Sequence, residues 1–96
     1  MATRYLTLLG RPNELGRDRL GIIASRKLGG AVVRNRAKRR IREVFRRAAA
    51  APAPEGFDLV VIPRRDLVDA PFAALTADFD SARRRLPRAG PARRPS

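Results

Sequence analysis

Between Ala31 and about Ala50 the chain takes up a helical period with a single apolar stripe. Val33, Ala37, Ile41, Val44, Phe45 and Ala48 recur at spacings of three and four. They cover about 120° of a helical wheel, the width of a core-facing stripe. Eight bases crowd the rest of the wheel, namely Arg34, Arg36, Lys38, Arg39, Arg40, Arg42, Arg46 and Arg47, with Glu43 as the lone acid. Such a helix cannot be buried all round, and like charges at i,i+4 prevent it from standing alone. It must lie on the outside of a small core, stripe inward and charge outward. At 96 residues the chain has room for one domain and a modest core, so this helix has to cover an open layer.

The rest of the chain supplies that layer. Tyr5-Leu-Thr-Leu-Leu9 alternates weakly and stops at Gly10-Arg-Pro-Asn13, a turn signal, so a strand is expected. Arg19–Ser25 predicts a second strand, with Leu20, Ile22 and Ala24 on one face and Gly21, Ile23 and Ser25 on the other. A loop of about eight to ten residues between the two predicts an antiparallel hairpin. Gly29-Gly30 then breaks the pattern, permitting backbone angles that other residues avoid. After the basic helix, Ala51-Pro-Ala-Pro-Glu-Gly56 forms a link, and Phe57-Asp-Leu-Val-Val-Ile62 reads as a buried strand stopped by Pro63. A last helix is expected from Asp69-Ala-Pro-Phe72, with an acidic cap and a proline in its first turn. Its stripe is Phe72, Leu75, Phe79, Ala82 and Leu86. The order is β-β-α-β-α, an α+β fold with helices packed on a small sheet. Residues 1–86 form the single domain. The tail 87–96, with three prolines, one glycine and nothing apolar beyond alanine, is expected to be a disordered basic tether.

Twenty-two bases against nine acids give a net charge of +13, and residues 17–47 alone hold twelve bases against two acids. A field of that sign attracts polyanions. Cysteine and histidine are both absent, which excludes disulfides, thiol chemistry, His/Cys zinc sites and His-dependent triads. No apolar run reaches membrane-spanning length, and Met1-Ala-Thr-Arg-Tyr5 has no signal-peptide core. The expectation is a soluble cytoplasmic protein without a membrane partner. Asp78 and Asp80 diverge by about 200° on a helix and so do not share an ion. Tyr5 and Phe57 read as core aromatics before they read as base-stacking ones. No nucleophile has a base nearby, so neither a catalytic residue nor a metal ligand is assigned, and catalysis by the chain alone is not expected.

On the wheel, Arg34, Lys38, Arg42, Asn35, Arg46 and Arg39 share one face of about 140°, while Arg36, Arg40 and Arg47 extend the charge around the back. Solvated faces mix signs; one glutamate among eight bases does not. The planar guanidinium fork suits phosphate, and a phosphate-binding face is the better reading. Ser25, Arg26 and Lys27, just before Gly29-Gly30, form a second place where phosphate can approach backbone and a helix N-terminus.

The run from Arg19 to Arg46 closely resembles the protein component of bacterial ribonuclease P. That family has a strand ending Ser-[Lys/Arg]-Lys, here Ser25-Arg26-Lys27, then a Gly-x-Ala-Val linker, here Gly29 to Val32. Its helix Arg-Asn-Arg-x-x-Arg-x-x-Arg with a following Glu is matched by Arg34-Asn35-Arg36, Lys38, Arg39, Arg42 and Glu43. The strand Asp58-Leu-Val-Val-Ile-Pro-Arg64 resembles the family's Asp-x-Val-x-x-x-Arg, with Arg64 at its arginine. The resemblance covers roughly residues 5–86. It implies that RNA is the catalyst, cutting the 5′ leader from precursor tRNA with RNA-bound Mg²⁺. The protein then binds the catalytic RNA through the arginine-rich helix and holds the single-stranded leader in a cleft between helix and sheet. RNA contacts implied are Arg34, Asn35, Arg36, Lys38, Arg39, Arg42, Arg46, Ser25, Arg26, Lys27 and Arg64. A left-handed strand–helix–strand crossover is also implied, against the general right-handed rule, and no obligate protein partner. Family members usually begin with an extra helix whose aromatics help line the leader cleft. This sequence starts almost at the strand, so either its start is truncated or the cleft has one bare wall. A structural RNA-binding domain of ribosomal-protein type, with no processing role, is the alternative that composition leaves open; the Arg-Asn-Arg motif and Asp58…Arg64 favour the first reading.

Overall fold

The computed structural model describes residues 1–49 and 56–86. Strand β1 (Leu6–Pro12) and strand β2 (Arg19–Ile22) precede helix α1 (Ala31–Ala49); strand β3 (Phe57–Pro63) and helix α2 (Phe72–Arg84) follow. Two 3₁₀ turns, Arg26–Leu28 and Arg65–Asp69, follow β2 and β3. The expected order β-β-α-β-α is the observed one. The link 50–55 and the tail from Pro87 lie outside the described residues, together with the expectation of a disordered tether.

The expected hairpin does not form. The strand order is β1-β3-β2, with β3 between the other two. β1 runs antiparallel to β3, from Leu6 opposite Pro63 to Pro12 opposite Phe57, and β2 runs parallel to it, from Arg19 opposite Asp58 to Ile22 opposite Val61. The 13–18 loop steps over the head of β3 instead of turning back. The Asn13 main-chain N–H donates to Gly56 O at 3.1 Å, and the Phe57 main-chain N–H donates to Asp18 Oδ1 at 2.9 Å. A Cβ on Gly56 would lie 2.3 Å from the Arg17 carbonyl oxygen, so only glycine lets the loop pass this closely. β3, whose residues Leu59 and Val61 are buried, is the most continuously apolar strand and takes the central place.

One core lies between the inner sheet face and the helices. Leu6, Leu8, Leu59 and Val61 of the sheet meet Ala37, Ile41 and Val44 of α1 and Leu75, Phe79 and Ala82 of α2. Leu20, Ile22 and Ala24 pack against this cluster while Ile23 is exposed, as the alternation predicts. Phe57 is buried in the core and Tyr5 packs half-buried against it. Gly29 ends the first 3₁₀ turn at φ 149°, a conformation suited to glycine. The acidic cap expected for α2 is absent: Pro71 holds the N-cap position without a side-chain bond, and Asp69 belongs to the preceding 3₁₀ turn. Leu67 and Val68 explain the shift, because burying both draws the turn onto the core and leaves Asp69 in solvent.

Candidate nucleic-acid interface

The stripe of α1 closes onto the core as its spacing requires: Ala37, Ile41 and Val44 are buried, and Val33, Phe45 and Ala48 pack against them. The space between this stripe and the inner sheet face is therefore filled by side chains. Outside, a shallow groove runs along the helix, lined by Asn35, Lys38, Arg39, Arg42, Glu43 and Arg46. These are neighbours because residues three and four apart share a helix face.

The eight cations are not equivalent. Arg36 donates from Nε to Val68 O at 3.0 Å and lies 3.9 Å from Asp69. Arg40 donates to Ala70 O, and the Arg47 guanidinium stands 4.8 Å above the Phe72 ring. These side chains tie α1 to the 65–72 segment, and Arg36, expected among the RNA contacts, is anchored there through Nε while its side chain stays 55% exposed. Arg46 and Arg47 both donate to Glu43, at 2.5 and 3.1 Å. Their hydrogen bonds hold the Glu43 carboxyl below its ordinary range. Among the described residues, Arg34, Lys38, Arg39 and Arg42 have neither an ion pair nor a side-chain hydrogen bond. An unneutralised row of this kind attracts anions.

A second set of expected residues gathers elsewhere. Because β2 and β3 are parallel, their exits lie side by side, where α1 begins. Ser25, Arg26, Lys27 and Arg64 are exposed at these exits, and Arg65 bridges the two turns by donating to Leu28 O at 3.2 Å. The outer sheet face beside them is open. Its register sets Leu9, Val60 and Gly21 in one row and Thr7 beside Ile62 in the next, with Ile23 continuing β2. Leu9 and Ile23 are about half exposed. At the far end Asp58 accepts from Arg19 at 2.7 and 2.8 Å and from Asn13 Nδ2 at 3.0 Å. Those two partners, Arg19 first, pull its carboxyl down to about 2.

One pair was not legible beforehand. Arg83, which counts as one of six arginines after residue 80, donates to Asp18 at 2.9 and 3.1 Å, with its guanidinium 4.4 Å over the Phe57 ring. The partners stand sixty-five residues apart, and no local pattern announces them. Asp78, considered beside Asp80, accepts from the Thr3 hydroxyl. Among the described residues no three of His, Cys, Asp and Glu gather as a metal site, and no helix is long and apolar enough to cross a membrane.

The chain is similar to known proteins in both sequence and fold. The family model Ribonuclease P matches residues 1–87. The ribonuclease P protein component of Thermotoga maritima is 48% identical over 67 residues, 70% of this chain and 56% of that protein. That of Idiomarina loihiensis is 43% identical over 86 residues, 88% of this chain and 66% of the relative. A solved RNase P protein from Thermotoga maritima, in complex with 1-(4-fluorophenyl)-2-thiourea, superposes with a TM-score of 0.77 at 37% identity, covering 91% of this chain and 84% of that one. The Staphylococcus aureus RNase P protein gives 0.68 at 32% identity, covering 88% and 76%. The matched stretch thus spans little more than half the length of the Thermotoga relative.

Proposed function

Because the chain belongs to the ribonuclease P protein family, we propose that it serves as the protein subunit of that ribonucleoprotein and assists endonucleolytic 5′ maturation of tRNA. The observation that carries this reading is the row Arg34, Lys38, Arg39 and Arg42, which has no anionic partner among the described residues and whose last three members line the groove of α1 beside Asn35. In this reading the row takes phosphates of the catalytic RNA, and each guanidinium fork can bridge two oxygens. The 5′ leader of precursor tRNA lies outside the filled core, on the open sheet face, where Leu9, Val60, Ile62 and Ile23 offer apolar contact. Arg64, Arg26 and Lys27 hold its backbone at the strand exits.

Chemistry belongs to the RNA in this reading. The Mg²⁺ that the family implies does not fit this chain's described acids. Asp58 is held by Arg19 and Asn13, Asp18 by Arg83, Glu43 by Arg46 and Arg47, and among the described residues no three acids gather as a metal site. The ion is therefore assigned to RNA, and no step passes through a protein-bound metal. The protein works in the cytoplasm, on precursor tRNA, with no obligate protein partner. The test is reconstitution. Added to a bacterial ribonuclease P RNA at low Mg²⁺, the protein is expected to stimulate precursor-tRNA cleavage well above RNA alone. Binding without stimulation would leave a structural RNA-binding domain instead.

A further inference from the structure

The single acid of α1 sits where the bare row ends. Arg34, Lys38, Arg39 and Arg42 precede it, and Arg46 and Arg47, which follow it, both give N–H groups to its carboxylate. Three charged groups there present a net charge of one. The Glu43 side chain is 34% exposed against 74% for Arg46 and 62% for Arg47, so the carboxylate is the shielded, fixed member of the trio. A phosphate approaching Arg46 must approach an ionised carboxylate or part the pair. Arg40 is no alternative, since the Ala70 carbonyl holds it, and Arg36, tied through Nε to Val68 O, lies around the back of the helix away from the groove.

We propose that Glu43 is a positioning residue that ends the phosphate track of α1: by holding Arg46 and Arg47 it confines RNA contact to the stretch from Arg34 to Arg42. The proposal rests on reading α1 as the RNA-binding face. Recognition is set by repulsive groups as well as attractive ones, and an acid at the border of a basic row fixes how far a strand can run along it. Glu43 also supports the helix end, being N-terminal to its arginines at i,i+3 and i,i+4. That supporting role alone would alter helix stability and leave the number of phosphates bound unchanged.

The test is the salt dependence of poly(U) binding by the full chain. Glu43→Gln is expected to steepen the slope of log affinity against log salt by about 0.7, one added phosphate on a single strand at Arg46, since Arg47 stays over the Phe72 ring. At 0.1 M salt affinity rises about fivefold for each added contact. In an Arg46→Ala/Arg47→Ala background the same substitution leaves the slope where it was. Glu43→Asp, which keeps the charge, stays at the wild-type slope, and thermal melts by circular dichroism check that each variant is folded. An unmoved slope in Glu43→Gln, or equal steepening without the two arginines, would overturn the proposal. A steep wild-type slope with an unmoved Glu43→Gln slope removes the Glu43 role alone. A flat wild-type slope removes the RNA-binding face and this proposal with it.

Discussion

Arg39 and Arg42 are exposed on the groove side of α1, whereas Ile41 between them is 1% exposed and faces the core. Replacing either arginine with alanine removes a charge-assisted phosphate contact on the order of 1.5–3 kcal/mol, about tenfold or more in RNA affinity, and leaves the melting temperature nearly unchanged. Ile41→Ala deletes buried methylenes and is expected to cost about 2–5 kcal/mol of stability. Equilibrium binding and thermal melts on the three variants check the separation. If the arginine variants melted as early as Ile41→Ala, the helix faces would be wrongly assigned. Asp58 gives a pH prediction. Its folded pKa, about 2, lies below the unfolded carboxyl value, so the contribution of its bonds to Arg19 and Asn13 is fully present above about pH 4 and lost as pH falls toward 2. Stability followed by denaturant titration across that window should drop less steeply in Asp58→Asn than in wild type.

Among the elements, α1, β3 and α2 were legible because their signals are local: stripes at spacings of three and four, and an unbroken apolar run. Strand pairing was not. What keeps β1 from β2 is the anchoring of the 13–18 loop on Gly56 and Phe57 by Asn13 and Asp18, contacts about forty residues away in sequence. Likewise eight cations on one helix were visible, but which stay free depends on carbonyls at Val68 and Ala70 that only the fold brings near. The start of α2 slipped by a few residues because two buried apolar residues outweighed an available cap. The anchoring itself is testable. Gly56→Ala sets a Cβ against the main chain of Arg17 and is expected to cost about 1–3 kcal/mol, read as an earlier denaturant midpoint with the slope of the transition unchanged. No loss would mean that the loop does not cross β3 this closely.

For the molecule as a whole, the charge is divided between structure and display. Asp18, Asp58, Glu43 and the carbonyls of the 65–72 segment engage Arg83, Arg19, Arg46, Arg47, Arg36 and Arg40. Among the described residues, what remains free on α1 is a short row of four, over a filled core. The chain alone, lacking histidine and cysteine, should leave precursor tRNA intact at any Mg²⁺ concentration; metal-dependent cleavage by homogeneous, RNA-free protein would contradict this. The most direct measurement of the RNA-binding face is the affinity of the folded protein for ribonuclease P RNA at a series of salt concentrations, wild type against Arg39→Ala/Arg42→Ala. With four or five phosphates neutralised, the wild-type slope of log affinity against log salt should be roughly −3 to −5. The double variant should be shallower by about 1.4–1.8 while its melting temperature holds. Equal slopes in the two proteins, or a wild-type slope near zero, would contradict α1 as the RNA-binding face.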